Sequence, residues 1–348
     1  MWLFAGRLGQ NNRCPTPEVS SVPELKSARW KWIVRVLQVL LFVAVAWGIW
    51  NCIHNALNEL DEYSLSWGDF HPGWLALSGF FYLMGMLPAG LFWHRILHEV
   101  NERPRLTDTL RAYYIGHLGK YVPGKAMVIV MRAGVLGSSG VNKTTAAVTI
   151  FMETLTQMTV GAAFAAAVIA VRYSQHWQLL VLALLLMFCA GLPTVPVIFR
   201  RLVRWLQVAQ LNPEIEEKLN GITFRLVGLG WLYNLAGWLV LGLSLWAVLH
   251  AVPTTTTVVG NDVETLLLLS ATSALAIVSG FLSLIPGGLG VRELVMMSLM
   301  SHELQLGAVL PVIASIIIRL VWLGAELVAA AAGVLLAKQP FRPGETPD

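Results

Sequence analysis

Charge is scarce in this chain. Of its 348 residues only 13% are Asp, Glu, Lys or Arg, where a soluble domain carries about 25%. Mean hydropathy is +0.65. This excludes a disordered chain, a collagen-like repeat and an ordinary water-soluble globule, and leaves a polytopic membrane protein whose core is covered by lipid. The net charge of +4 is too weak to indicate nucleic-acid binding. Cysteine is also scarce. Cys14, Cys52 and Cys189 lie far apart without C-x-x-C spacing, which speaks against a disulfide framework or a zinc site and reads as unpaired thiols. Motifs of soluble catalysis are missing. His302-Glu303 lacks the second His of H-E-x-x-H, and there is no D-x-D pair and no G-x-S-x-G elbow. Residues 119–126 come close to a nucleotide-binding loop. However, Ala126 stands where the metal-binding hydroxyl belongs and Pro123 removes a cradle N–H. No metal and no cofactor is expected.

What is abundant is long apolar runs. A bilayer core needs about 20 apolar residues per helix, and six segments qualify: 33–53, 74–93, 144–171, 177–198, 226–249 and 307–337. The first is too long for a signal peptide and follows a mostly polar stretch. Lys and Arg cluster in the N-terminal tail, after the second span, after the fourth and in the C-terminal tail, which hold 21 of the 24. The loops 54–72 and 251–265 have none. The positive-inside rule then predicts that both termini are cytoplasmic, in a plasma (inner) membrane. Trp30, Trp32, Trp67, Trp74, Trp93, Trp177 and Trp205 read as interfacial belts. In residues 199–220, Arg200, Arg201 and Arg204 interleave with Leu202, Val203, Trp205 and Leu206. This is either an amphipathic surface helix or an ordinary positive-inside loop.

Two further stretches are apolar but interrupted. Residues 107–136 break at Gly116-His117-Leu118-Gly119-Lys120-Tyr121-Val122-Pro123-Gly124-Lys125, and residues 266–300 break at Pro286-Gly287-Gly288-Leu289-Gly290. Pro123, Gly124, Pro286, Gly287 and Gly288 would end one helix and start another. If each stretch is a re-entrant hairpin, both termini stay inside and the hairpins enter from opposite faces. That is the pattern of an inverted repeat whose broken segments meet near the midplane. Irregular backbone at that depth implies a central polar cavity. The expected fold is therefore an all-α polytopic integral membrane protein, with about six full transmembrane helices plus two re-entrant hairpins. It would have a tail over 1–32, a membrane domain over 33–337 and a second tail over 338–348.

A charge at mid-bilayer costs at least about 2.5–3.5 kcal/mol, so buried charges are candidates for function. Glu153 falls near the middle of its span, with Thr149 and Gln157 on the same face. Arg319 and Glu326 share a face of the last span, but seven residues of helix rise about 10 Å, so each should meet partners on neighbouring elements. Lys120, Lys125 and Arg132 line the first broken stretch, and Arg292 and Glu293 open the second arm of the other. Lys120, Lys125, Arg132, Glu153, Arg292 and Glu293 are the candidates for holding a lipid headgroup. His117, Arg319 and Glu326 are candidates for gating or charge balance. The alternative is a set of structural ion pairs, with His117 a packed polar residue.

Gly119-Lys120-Tyr121-Val122-Pro123-Gly124-Lys125, followed by Arg132, resembles the first signature of the lysylphosphatidylglycerol synthase transmembrane family, also called flippase-like or UPF0104. Residues 285–293, Ile-Pro-Gly-Gly-Leu-Gly-Val-Arg-Glu, resemble its second signature. Glu153 resembles the family's acidic position, although Thr154 follows it where relatives often carry Arg. The resemblance implies a helical membrane domain with re-entrant segments that moves aminoacylated phospholipid between leaflets. In relatives this domain can be fused to a soluble aminoacyltransferase, for which the tails here leave no room. The expected function is a lipid translocase acting on a membrane phospholipid, anionic or aminoacylated, or on a polyprenyl-linked lipid. The alternatives are a membrane-embedded transferase or the membrane partner of a separate synthase or glycosyltransferase. A homo-oligomer is also compatible, and nucleic acid is not a partner.

Overall fold

The computed structural model describes residues 67–121, 126–172, 191–206, 212–252, 259–283, 290–303 and 309–335, with residues 181, 188, 208 and 288 between them. The expected first span, most of the fourth, both tails, and Pro123, Gly124, Lys125, Pro286 and Gly287 lie outside the described residues.

The described residues are helical, without strands. The helices are α1 (Pro72–Glu99), α2 (Leu106–His117), α3 (Ala126–Gly137), α4 (Lys143–Arg172), α5 (Pro196–Trp205), α6 (Phe224–Ala251), α7 (Val263–Leu282), α8 (Val291–Glu303) and α9 (Val309–Leu335). Five of them are long and apolar enough to cross a membrane: α1, α4, α6, α7 and most of α9. The chain is an all-helical polytopic integral membrane protein. Local chemistry explains the helix starts. Pro72 and Pro196 occupy first-turn positions where no N–H is needed. Asp262 accepts from the Thr265 N–H at 2.8 Å and Thr223 from the Leu226 N–H at 3.3 Å, capping α7 and α6.

The described helices repeat. A long helix, two hairpin arms and a second long helix (α1 to α4) recur as α6 to α9. Helices α1 and α6 run antiparallel. At one end the His71 N–H donates to the Ala251 carbonyl at 3.1 Å. At the other, a Cβ on Gly221 would fall 1.8 Å from the Glu99 carbonyl oxygen. They cross at Gly85 and Gly237, which hold the same place in their helices, 13 residues after Pro72 and Phe224. A Cβ on Gly237 would lie 2.7 Å from the Gly85 carbonyl oxygen, so the backbones touch. The same 152-residue offset relates further contacts across the crossing. Ser78 Oγ lies 2.9 Å from Ser244 Oγ, and the equivalent pair, Gly230 and Phe92, is packed so closely that a Cβ on Gly230 would meet the Phe92 ring at 2.3 Å.

Helix α9 runs parallel to α1. Its Trp322 Nε1 donates to Ser244 Oγ at 2.9 Å, beside Ser78. Helix α4 runs beside α6, with Trp238 Nε1 donating to the Gln157 carbonyl at 3.1 Å. The Trp238 indole lies over Gly161, where a Cβ would come within 2.6 Å. Arg172, at the end of α4, pairs with Glu264 at the start of α7. The chain therefore enters and leaves the α2–α3 hairpin at one end of the bundle, and the α7–α8 hairpin at the other. The two hairpins differ in size. The first has two arms of 12 residues, whereas α7 has 20 and is itself long enough for a full crossing.

Two sequence expectations change. The surface segment expected over 199–220 is not one helix: α5 ends at Trp205, and a single turn, Ile215–Lys218, follows. Phe199, Val203, Ile215 and Leu219 are buried with Phe92 and Ile96 in a small second core, while Trp205 stays exposed beside Arg201 and Arg204. Trp93, expected in an interfacial belt, is fully buried, with its Nε1 donating to Thr149 Oγ1 at 3.1 Å.

Candidate functional site

The charges anticipated inside the apolar spans converge on one network. In the first repeat, Arg132 on α3 donates from Nη1 to Glu153 Oε2 on α4 at 2.8 Å. Both side chains are at most 3% exposed. Thr154 Oγ1 donates to the same carboxylate oxygen at 3.2 Å. The counter-charge of Glu153 thus comes from the hairpin and not from its own helix. The guanidinium also sits over the Tyr113 ring, 4.1 Å from its centroid. Helix α2 approaches α3 closely enough to allow this because Gly116 has no side chain. A Cβ there would strike the Arg132 side chain at 2.2 Å.

His117, at the end of α2, connects this pair to a second one. Its Nδ1 lies 3.3 Å from Arg132 Nη2, so Arg132 donates to it and the ring proton falls on Nε2. Nε2 faces Glu326 Oε1, 3.8 Å away on α9. Glu326 is 1% exposed and takes hydrogen bonds from both Lys120 and the Tyr82 hydroxyl. Lys120 comes from the short 3-10 turn Leu118–Tyr121 between the hairpin arms. Its ammonium lies 3.2 Å from Tyr82 Oη and 5.0 Å from the Tyr121 ring centroid. Tyr82 stacks on Trp322 at 4.8 Å.

In the second repeat, Glu293 on α8 pairs with Arg319 on α9. Arg319 and Glu326 therefore engage partners on different neighbouring elements, as their spacing requires. Arg292 lies across α7. A Cβ on Gly280 would meet its side chain at 2.7 Å and one on Gly288 at 3.0 Å. Gly288 has φ +66° and Gly290 φ +79°, backbone that favours glycine. Arg292 lies near enough to His117, Lys120, Tyr82 and Tyr121, and to its neighbour Glu293, for their charges to act on one another, which places the second hairpin beside the first. Among the described residues Arg292 makes no ion pair, and its buried Nε has no hydrogen-bond partner. No cluster among the described residues has the His, Cys, Asp and Glu content to hold a metal ion.

The model of the lysylphosphatidylglycerol synthase transmembrane region matches residues 32–333. The chain belongs to that family. No curated protein matches it. Membership in the lysylphosphatidylglycerol synthase transmembrane family makes this an integral membrane protein related to phospholipid modification and translocation. Within the family domain, the structure brings together His117, Lys120, Arg132, Glu153, Arg292, Glu293, Arg319 and Glu326. Lys125 lies outside the described residues. Tyr82, Tyr113 and Trp322 were not anticipated. The available signal was a tyrosine hydroxyl deep in an apolar span, which has to find a polar partner.

Proposed function

We propose that the protein moves a phospholipid or lipid-linked headgroup between leaflets through a polar cavity at this network. The acyl chains stay in the bilayer while the headgroup passes. The observation that carries this reading is the layering of charge. Lys120 and Arg319 keep 17% and 22% of their side-chain surface accessible, while the carboxylates they engage, Glu326 and Glu293, keep 1% and 8%. A headgroup phosphate entering from the open side meets cations first, and the carboxylates behind hold those cations in place. In this reading the two hairpins are re-entrant from opposite leaflets, both termini are cytoplasmic and the membrane is the plasma (inner) membrane. The distribution of Lys and Arg supports that orientation.

The test is reconstitution of the purified protein in liposomes with labelled phospholipid. Leaflet exchange should accelerate with protein and fall by about tenfold or more in Lys120→Gln, which removes a charge-assisted contact. Exchange equal to that of protein-free vesicles for every anionic and aminoacylated lipid tried would refute the proposal.

A further inference from the structure

The network has a charge count that bears on which headgroup fits. Among the described residues four cations, Lys120, Arg132, Arg292 and Arg319, face three carboxylates, Glu153, Glu293 and Glu326. His117 adds no charge, since one nitrogen accepts from Arg132. Every carboxylate is already committed to a cation: Glu153 to Arg132, Glu326 to Lys120 and Glu293 to Arg319. Arg292 is the cation left over among the described residues. It is laid over Gly280 and Gly288, with its Nε buried and without a partner. An uncompensated charge in a low-dielectric site is costly until an opposite charge arrives.

The same carboxylates each keep one unused oxygen. Glu153 Oε1, Glu293 Oε2 and Glu326 Oε2 are buried with no hydrogen-bond partner. An oxygen of a carboxylate already neutralised by Lys or Arg is suited to accept from a neutral hydroxyl. It is poorly suited to hold an ammonium, which would bring a further positive charge to a set of described residues already one positive charge in excess.

We infer that this site selects a headgroup of one net negative charge that also bears uncharged hydroxyls: a phosphodiester carrying glycerol or a sugar. The phosphodiester neutralises Arg292 and the hydroxyls reach the unused oxygens of Glu293 and Glu326, whose cations are partly accessible. A lysyl-substituted phosphatidylglycerol, with two ammonium groups against one phosphate, carries one net positive charge and is disfavoured. The inference rests on the transport reading above and narrows its substrate class. Phosphatidylglycerol and a polyprenyl phosphoryl sugar share this chemistry and are separate arms of the test.

The experiment compares leaflet exchange in proteoliposomes of four labelled lipids: phosphatidylglycerol, a polyprenyl phosphoryl sugar, lysylphosphatidylglycerol and phosphatidylcholine. At least one of the first two should exchange about tenfold faster than the last two, the scale of one charge-assisted contact. Arg292→Gln should collapse that preference to about twofold or less and Arg292→Lys should keep most of it. Thermal unfolding of each variant in detergent reports whether it has folded. Wild-type exchange of lysylphosphatidylglycerol as fast as, or faster than, both anionic lipids overturns the inference and leaves the transport reading standing. An absence of exchange for all four overturns the transport reading itself. If Arg292→Gln folds and keeps the full preference, the assignment to Arg292 is wrong.

Discussion

The two hairpins solve one problem with opposite charges. In the first, the hairpin carries the cation and the following long helix the anion: Arg132 on α3 and Glu153 on α4. In the second, the hairpin carries the anion and the long helix the cation: Glu293 on α8 and Arg319 on α9. Glu153 and Arg319 stand at the same place, 10 residues after Lys143 and Val309. Each hairpin also has a glycine that makes room for an arginine on the returning arm, Gly116 for Arg132 and Gly280 for Arg292. The repeats therefore share a mechanical plan, in which a kinked pair of helices is tied by an ion pair to the next rod. They differ in what the tie leaves over. In the first hairpin the Arg132–Glu153 pair is sealed from solvent, although Arg132 Nε, like that of Arg292, has no hydrogen-bond partner. The second leaves Arg292 without a carboxylate. The scaffold is thus symmetric where its charge is not.

The largest expected effect tests that contrast. Arg132→Gln leaves the Glu153 carboxylate buried and unpaired and should destabilise the protein by about 3–5 kcal/mol. Glu293→Gln leaves Arg319, which is partly accessible, and should cost about 1–3 kcal/mol. Replacing both members of the first pair, Arg132→Leu with Glu153→Leu, should recover most of the loss. Chemical denaturation in detergent measures all three. Equal losses for the two single variants would erase the distinction between a sealed and an open hairpin.

The next prediction concerns what the repeats share. Gly85→Val and Gly237→Val should each cost about 1–3 kcal/mol by wedging the crossing of α1 and α6. Gly73→Ala, where a Cβ meets nothing within 4 Å, should be near neutral or slightly stabilising, as expected for glycine to alanine in a helix. The same unfolding assay compares them. A Gly237→Val variant as stable as the parent would mean that the halves do not meet through backbone.

The smallest effects lie at the two ends of the bundle and run in opposite directions with pH. The hydrogen bonds from the Thr265 amide and hydroxyl hold the Asp262 carboxyl below its usual value of 3.8. Its contribution to stability is complete above that pH and disappears as pH falls through the lower folded value. The hydrogen bond to the Glu102 carboxylate holds Lys218 above 10.5. Its contribution is complete below 10.5 and is lost as pH rises through the folded value. Asp262→Ala should flatten the acid limb of a stability–pH curve and Lys218→Met the alkaline limb. Exchange of those two outcomes would refute the assignment.

The legible features were local ones. Pro and Gly interruptions, the lengths of apolar runs and the seven-residue separation of Arg319 from Glu326 can all be read within a short window. From these come the helical arms of both hairpins and the two separate partnerships of α9. What could not be read depends on distance along the chain. Glu326 meets Lys120 and Tyr82 across 206 and 244 residues, and no periodicity encodes such a meeting. Trp93 carries the composition of an interfacial residue, but the close approach of α4 buries it. The segment 199–220 carries its arginines only as far as Arg204, helix α5 stops at Trp205, and Ile215 and Leu219 then turn inward to a small core.

At Gly85 and Gly237 the backbones of the two halves meet, with the Leu241 side chain seated over Gly85 and the Phe92 ring over Gly230. A change in the angle between the two helices must move those side chains as well as the backbone. Leverage along two rods of 28 residues would turn a small rotation at the crossing into ångströms at their ends.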